Sequence, residues 1–232
     1  MAVKTSIVGN VADVTSIHVM VNGSMKSITQ AYTFVENERH LLFPNSTLIY
    51  SNTTPGNYSF TIPSQYNFIK VVLAGACGGR SWNSDGAGIY PENSPGRGAI
   101  IEREFGNFSN RTITGVIGAR PTMTYASEYL GGSGYHNGSN SGRQSVTIQY
   151  IAGGGGGGST SVTVDGVTHE ACGGGGRANI TQLAPNTFGA KGGGQYGGAQ
   201  QNNYANGNDA TDPGLTGYNA GNGYIQIYGL AG

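Results

Sequence analysis

Short runs of alternating apolar and polar side chains recur along the chain, and no window shows the 3.6-residue apolar period of an amphipathic helix. Tyr58-Ser59-Phe60-Thr61-Ile62 and Tyr224-Ile225-Gln226-Ile227-Tyr228 alternate strictly, which predicts strands with one face on a core. Phe68-Ile69-Lys70-Val71-Val72-Leu73-Ala74 is almost continuously apolar and reads as a strand buried on both faces. Leu48–Tyr50, Ala99–Glu104, Thr112–Gly118, Val146–Ala152 and Ser161–Val164 complete the predicted strands. The pattern defines an all-β chain.

The N-terminal part carries its own repeat. Thr15–Gly23 aligns with Thr29–Asn37 at a period of 14 residues, and each unit alternates side-chain type before reaching a turn. The turns are Asn22-Gly23 and Glu36-Asn37-Glu38. Asn-Gly is the strongest short hairpin signal, because a type I′ turn needs positive φ at both central positions. Two successive hairpins forming a β-hairpin meander are predicted over residues 1–44, ended by Pro44-Asn45-Ser46. Residues 45–232 form the second unit.

Glycine changes the picture of that second unit. It supplies 42 of 232 residues, about 18% against an average near 7%, and it concentrates in runs. The runs are Gly153–Gly158, Gly173–Gly176 and Gly192–Gly194, with Gly75-Ala76-Cys77-Gly78-Gly79 before them. A flexible linker is the usual reading, because glycine loses the most backbone entropy on ordering. Here the runs are brief and strand signals lie before and between them. Without Cβ atoms, extended chains can pack backbone to backbone, as in collagen, where only glycine fits at the crowded axis. The expectation is a glycine-rich β domain with polyglycine II-like strands, in which Gly155, Gly174 and Gly193 are scaffold.

Composition removes several functions. Charged residues make up 10% of the chain and formal net charge is zero, with no Lys/Arg run to neutralise phosphates, so no nucleic acid is expected as partner. No segment approaches the 18 or so apolar residues of a membrane span, so no membrane insertion is expected. The strand Phe68–Ala74 followed by Gly75-Ala76-Cys77-Gly78-Gly79 resembles the start of a dinucleotide fold, but the next residues, Arg80–Gly86, lack helical period. Lys191 beside Gly192 lacks the order of a phosphate-binding loop. Cys77 and Cys172, each beside a glycine run, are open to pairing, to free thiol chemistry or to burial. His18, His40, His136 and His169 show no metal-ligand spacing, and no cofactor is implied. The carboxylates Asp85, Glu92, Glu128, Asp165, Glu170, Asp209 and Asp212 are scattered through loops, with no base set beside a nucleophile, so no enzyme activity is expected.

The segments between glycine runs hold most of the aromatics: Trp82, Tyr90, Tyr125, Tyr129, Tyr135 with His136, Tyr196, Tyr204 and Tyr218. Tyr and Trp offer a rigid apolar face with a polar tip, favoured at binding hot spots. These residues are the receptor-binding candidates, on loops 80–95, 120–142 and 196–220. Each ring has a second reading, as cover for glycine strands that bring no side chains of their own.

The order of pieces, from Tyr58–Pro63 through Val71–Gly79 and Val116-Ile117-Gly118 to the glycine runs and Gly223–Tyr228, resembles the glycine-rich domain of phage tail-fibre and tail-tip proteins. It is similar to the glycine-rich receptor-binding adhesins of T-even-like phages. The resemblance implies a stack of polyglycine II helices whose loops bind a host surface glycan or outer-membrane protein. It further implies a place in the virion tail, assembled in the bacterial cytoplasm, since Met1–Ser6 leads into no signal-peptide pattern. Residues 1–44 would join other tail proteins or form a homo-oligomer through hairpin edges. A structural virion component, in baseplate, tail or capsid decoration, is the alternative. An ice-binding face is disfavoured by the long irregular loops.

Overall fold

The computed structural model of the chain describes residues 46–80, 95–106, 108–121, 130–141, 153–176, 189–200 and 207–230, together with the backbone of several short strands outside these ranges. Every described element is a β-strand. The N-terminal repeat forms two hairpins: β1 (Ile17–Val21) with β2 (Ser24–Ile28), and β3 (Tyr32–Val35) with β4 (Glu38–Leu41). The first pairs Val21 with Ser24 and the second Val35 with Glu38, so both turns fall where the sequence sets them. Among the described residues each hairpin is its own two-stranded sheet.

The second unit contains β5 (Ser46–Asn52), β6 (Gly56–Thr61), β7 (Phe68–Ala74), β8 (Trp82–Asn83), β9 (Gly88–Ile89), β10 (Gly98–Gly106), β11 (Thr112–Ile117), β12 (Arg143–Val146), β13 (Gln149–Ala152), β14 (Thr160–Val164), β15 (Val167–Ala171), β16 (Leu215–Asn219) and β17 (Tyr224–Leu230). Nine of them build two antiparallel sheets, in the orders β16-β10-β7-β17-β5 and β15-β14-β11-β6. Register follows the alternation in the sequence. Ile225 and Ile227 of β17 oppose Leu73 and Val71 of β7, and all four are fully buried. Ile113, Ile117, Val162 and Tyr58 close the same core from the other sheet. Each such side chain contributes about 1.5–3 kcal/mol by leaving water.

Two elements differ from the sequence reading. Val146–Ala152 is not one strand: Arg143–Val146 pairs back on Gln149–Ala152 as a hairpin. Apolar alternation runs through Val146-Thr147-Ile148 without a turn residue, so the reversal leaves no signal. Leu215–Asn219, assigned to a loop, is the edge strand β16 paired with β10. Its residues are half-buried or exposed, and such an edge carries no apolar alternation.

At one end of the two sheets the strands do not stop. β7 runs on as residues 75–79, β11 as 118–121 and β15 as 172–176, while 153–159 lead into β14 and 95–97 into β10. These continuations, joined by 131–139 and 190–198, bond to one another with a period of three. The N–H groups of Gly75 and Gly78 donate to the carbonyls of Ala99 and Gly96, each at 2.9 Å. Those of Ala76 and Gly79 donate to Gly158 and Gly155, and that of Cys77 to Gly221. The central run behaves alike: Gly156, Gly157 and Gly158 donate in turn to Ser139, Gly174 and Ala119. Gly173 and Gly176 both reach the 190–193 segment, at Gly193 and Ala190. Three successive residues thus address three different neighbours, whereas a β-ladder alternates between two. This is the threefold geometry of polyglycine II chains.

The absence of side chains is a steric requirement. A Cβ on Gly156 would fall on the Lys191 carbonyl, one on Gly157 on the Ala76 carbonyl, and one on Gly174 on the Gly96 carbonyl. Gly155 and Gly193 are closed in the same way, by the carbonyls of Leu130 and His136. The three scaffold glycines expected from the sequence are therefore buried against backbone. Ordering a residue costs about 1–2 kcal/mol of backbone entropy, more for glycine, and one hydrogen bond returns about 0.5–1.5 kcal/mol. Such a bundle does not hold by itself. Its chains are continuations of sandwich strands, and the apolar core fixes where they start.

Small hydroxyl residues make the junction. Thr160 Oγ1 accepts the Gly118 N–H at 3.0 Å, and Ser159 Oγ accepts the His136 N–H at 2.8 Å. Cys77 and Cys172 are both buried free thiols; the Cys77 thiol donates to the Ala220 carbonyl at 3.1 Å.

Candidate functional site

Because most glycines of the bundle leave no room for a Cβ, large polar and aromatic side chains stand on the segments that link its chains and on the strand ends beside them. Residues 133–139 form one such link. The Gly134 N–H donates to the Asn137 side chain at 2.9 Å and closes a tight bend. The bend is docked on buried Ser159, whose carbonyl accepts the Tyr135 N–H and whose N–H donates to the His136 carbonyl. It presents Tyr135, 46% exposed, with its ring edge-on to His136 at 4.7 Å. His136 Nδ1 lies 2.7 Å from a carboxylate oxygen of Glu170 on β15.

The second link is 191–197. Gly194 has φ +91, a conformation that disfavours any side chain, and a Cβ there would strike the Cys172 thiol and the Glu170 carboxylate. The Gly197 N–H returns to the Gly194 carbonyl, so Gln195 and Tyr196 project at the turn, with Tyr196 38% exposed.

Two hollows adjoin here. One of 380 Å³ is bordered by His136, Ser139, Lys191 and Gln195. The other, of 220 Å³, is bordered by Glu170, Cys172, Gln195, Tyr196 and Asp212. Gln195 is common to both, and the His136–Glu170 pair joins them. Asp212 is 7% exposed, and one of its oxygens accepts the Cys172 N–H at 3.2 Å. Burial pushes its carboxyl pKa up, against the hydrogen bonds from Cys172. Burial, then Asp212, pushes the Cys172 thiol up as well, which keeps it protonated and unreactive.

Two of the candidates from the sequence, His136 and Tyr196, thus border adjoining hollows, and Tyr135 stands against His136. Tyr218 does not join them: it stands on β16, 39% exposed, under the guanidinium of Arg97 at 4.3 Å. Tyr90, Tyr125, Tyr129 and Tyr204 lie outside the described residues, as does the side chain of Trp82, whose backbone belongs to β8. Among the carboxylates, Asp165 pairs with Arg111, Asp209 with Arg97 and Glu170 with His136. Asp85, Glu92 and Glu128 lie outside the described residues. No group of three or more metal-binding side chains occurs among the described residues. Sequence reasoning missed Lys191 and Gln195. The only signal available was their position next to a closed glycine run.

The arrangement is rigid backbone carrying a rim of Tyr, His, Gln, Lys and carboxylate groups. It defines a glycine-rich scaffold with polar, aromatic-edged surface hollows. A family model described as a glycine-rich domain matches residues 52–232, and the chain belongs to that family. No curated protein matches it.

Proposed function

We propose that the protein is a phage tail-fibre or tail-tip component that binds a host cell surface through the segments linking its glycine chains, without catalysis. The observation that carries this reading is the bundle itself. Its close-packed glycines exclude side chains, so the connecting segments can vary in sequence while the fold persists. On two of those segments, exposed Tyr196 borders one hollow and exposed Tyr135 stands against His136, which borders the next, beside polar groups such as Gln195 and Lys191, a composition that suits a saccharide or a protein loop. The N-terminal hairpins, with short strands and open edges, would attach the protein to the particle.

Truncating an aromatic hot spot typically costs about 2 kcal/mol, on the order of thirtyfold in affinity. Particles carrying Tyr135→Ala with Tyr196→Ala are expected to adsorb at least tenfold more slowly while the purified chain melts as wild type does. A chain lacking residues 1–44 is expected to bind cells and to be missing from particles. Wild-type adsorption by the tyrosine variant would favour the alternative role, a structural virion component.

A further inference from the structure

The two sheets leave a seam at one edge. β15 is the outermost strand of its sheet, and β10 packs beside it from the other, with β16 beyond. Arg103 of β10 opposes Val71 in register, which sets it on the core side of its sheet. A guanidinium is costly to bury unpaired, and this one donates to the Pro213 carbonyl at 3.3 Å and to the Glu102 carbonyl at 2.8 Å. His169 opposes Val162 on the facing sheet, with its ring edge-on to Phe105 at 5.2 Å. The 220 Å³ hollow lies where this seam opens. Groups from both sheets border it, together with Gln195 and Tyr196 of the 191–197 link and with Asp212 and Pro213.

These groups hold hydrogen-bonding capacity that the folded chain leaves open. Asp212 is buried, yet among the described residues only one of its oxygens accepts an N–H, that of Cys172 at 3.2 Å, with the weakly donating Cys172 thiol beside it. Glu170 gives one oxygen to His136 and keeps the other. Gln195 is exposed, and its amide offers two donors and an acceptor. Both signs of charge border the same hollow, Arg103 as well as Asp212 and Glu170. Burial, then Arg103, lowers the His169 pKa and keeps that ring neutral. A cationic ligand would meet Arg103, and an anionic one would meet two carboxylates; like charges brought together in this way oppose binding. A neutral polyol meets no such conflict, because each hydroxyl donates once and accepts twice. Tyr196 and Pro213 add an aromatic face and an apolar surface at the same place.

We infer that this hollow is a subsite for one neutral hexopyranose ring. Hydroxyls of the ring donate to Asp212 and Glu170 and accept from Gln195 and Arg103, while its C–H face rests on Tyr196. The volume is below the roughly 300–1,000 Å³ of a site for a drug-sized ligand, so the hollow takes one ring and leaves the rest of a glycan outside. Gln195 also borders the neighbouring 380 Å³ hollow, which gives the glycan its path onward, past the His136–Glu170 pair toward Lys191. The inference rests on the reading of the links as a host-binding surface and narrows the ligand of that surface to a neutral sugar.

The test is a titration of the full ¹⁵N-labelled chain, separately with glucose, galactose, mannose, glucuronate, glucosamine and glycerol, followed by amide shifts. At least one of the three neutral hexoses is expected to move the amides of Cys172, Gln195, Tyr196 and Asp212 saturably. It is expected to bind about tenfold more tightly than glucuronate or glucosamine, with glycerol moving none of these amides. Asp212→Asn keeps an oxygen for the Cys172 N–H, and Gln195→Ala alters an exposed turn; each is expected to melt as wild type and to weaken hexose binding about tenfold. If Asp212→Asn does not fold, Gln195→Ala decides alone. No saturable shift with any of the three hexoses, equal or tighter binding of glucuronate or glucosamine, or undiminished binding in Gln195→Ala would overturn the proposal. A chain that binds no hexose while the tyrosine variant still adsorbs slowly would overturn this subsite and leave host recognition to a protein receptor. Saturable hexose binding alongside normal adsorption of the tyrosine variant would leave the subsite standing and remove its host-recognition role.

Discussion

Gly174→Val and Gly157→Val are each expected to abolish cooperative folding. At both positions the new Cβ would occupy the place of a carbonyl on a neighbouring chain, that of Gly96 for Gly174 and that of Ala76 for Gly157. Elsewhere in a core an oversized side chain is relieved by a rotamer change and typically costs 1–3 kcal/mol. Here both surfaces are main chain, and separating them breaks hydrogen bonds in three directions. Gly157 alone donates to Gly174 and accepts from Gly193. A loss on the order of 4 kcal/mol or more is expected, a large fraction of the 5–15 kcal/mol that holds a domain folded. Gly217→Ala is the control: on β16 its Cβ would meet Ile100 at 3.6 Å, an ordinary contact. Thermal melts of the three variants check the expectation, with little change for Gly217→Ala and no native transition for the other two.

Stability is expected to fall steeply in alkali, beginning near pH 8.5. Tyr58 is 7% exposed, and its hydroxyl donates to the Ser161 carbonyl at 2.8 Å. Burial, and secondarily Tyr50, pushes its pKa far above the ordinary value. Burial also raises both thiols. At Cys77 it outweighs the opposing pull of Arg120 and Arg80. For an acid whose folded pKa is raised, the unfolded chain binds fewer protons once pH exceeds the unfolded pKa. The stabilisation is complete below that value and is lost as pH climbs toward the folded pKa. Unfolded thiols titrate near 8.5 and tyrosine near 10, and each group removes about 1.4 kcal/mol per pH unit beyond its own value. Urea midpoints under reducing conditions from pH 7 to 10.5 are expected to drop in two stages. Cys77→Ala with Cys172→Ala should delay the drop until about pH 10. A flat profile, or a parallel fall in that variant, would contradict it.

The sandwich was legible because its strands have one apolar face. Ile225 and Ile227 announce themselves by alternation, Val71 and Leu73 by a continuous apolar run, and all are buried. Edge strands were not: Leu215–Asn219 pairs through backbone while its side chains stay polar or half-exposed. The glycine runs suggested threefold packing, but the lattice is wider than they are. Gly96, Gly118, Gly131, Gly132 and Gly138 stand alone or in pairs, and each is closed by a neighbouring carbonyl just as the runs are. An isolated glycine carries no pattern until its neighbours in space are known. The same holds for the sites. Tyr135 and Tyr196 were visible by type, but the pairing of His136 with Glu170 is made by chains that are distant in sequence.

The most direct measurement of whether the glycine runs are a packed scaffold is amide hydrogen exchange of the native chain. The N–H groups of Gly156, Gly157, Gly158, Gly173 and Gly174 all donate to carbonyls of neighbouring chains, and all five glycines are buried. They are expected to exchange at least a thousandfold more slowly than free chain, which corresponds to an opening free energy of about 4 kcal/mol, in the range of the Val71 and Ile227 amides of the sandwich. Exchange of these five glycines at the free-chain rate, with Val71 and Ile227 still protected, would mean that the runs are linkers and that the bundle does not exist.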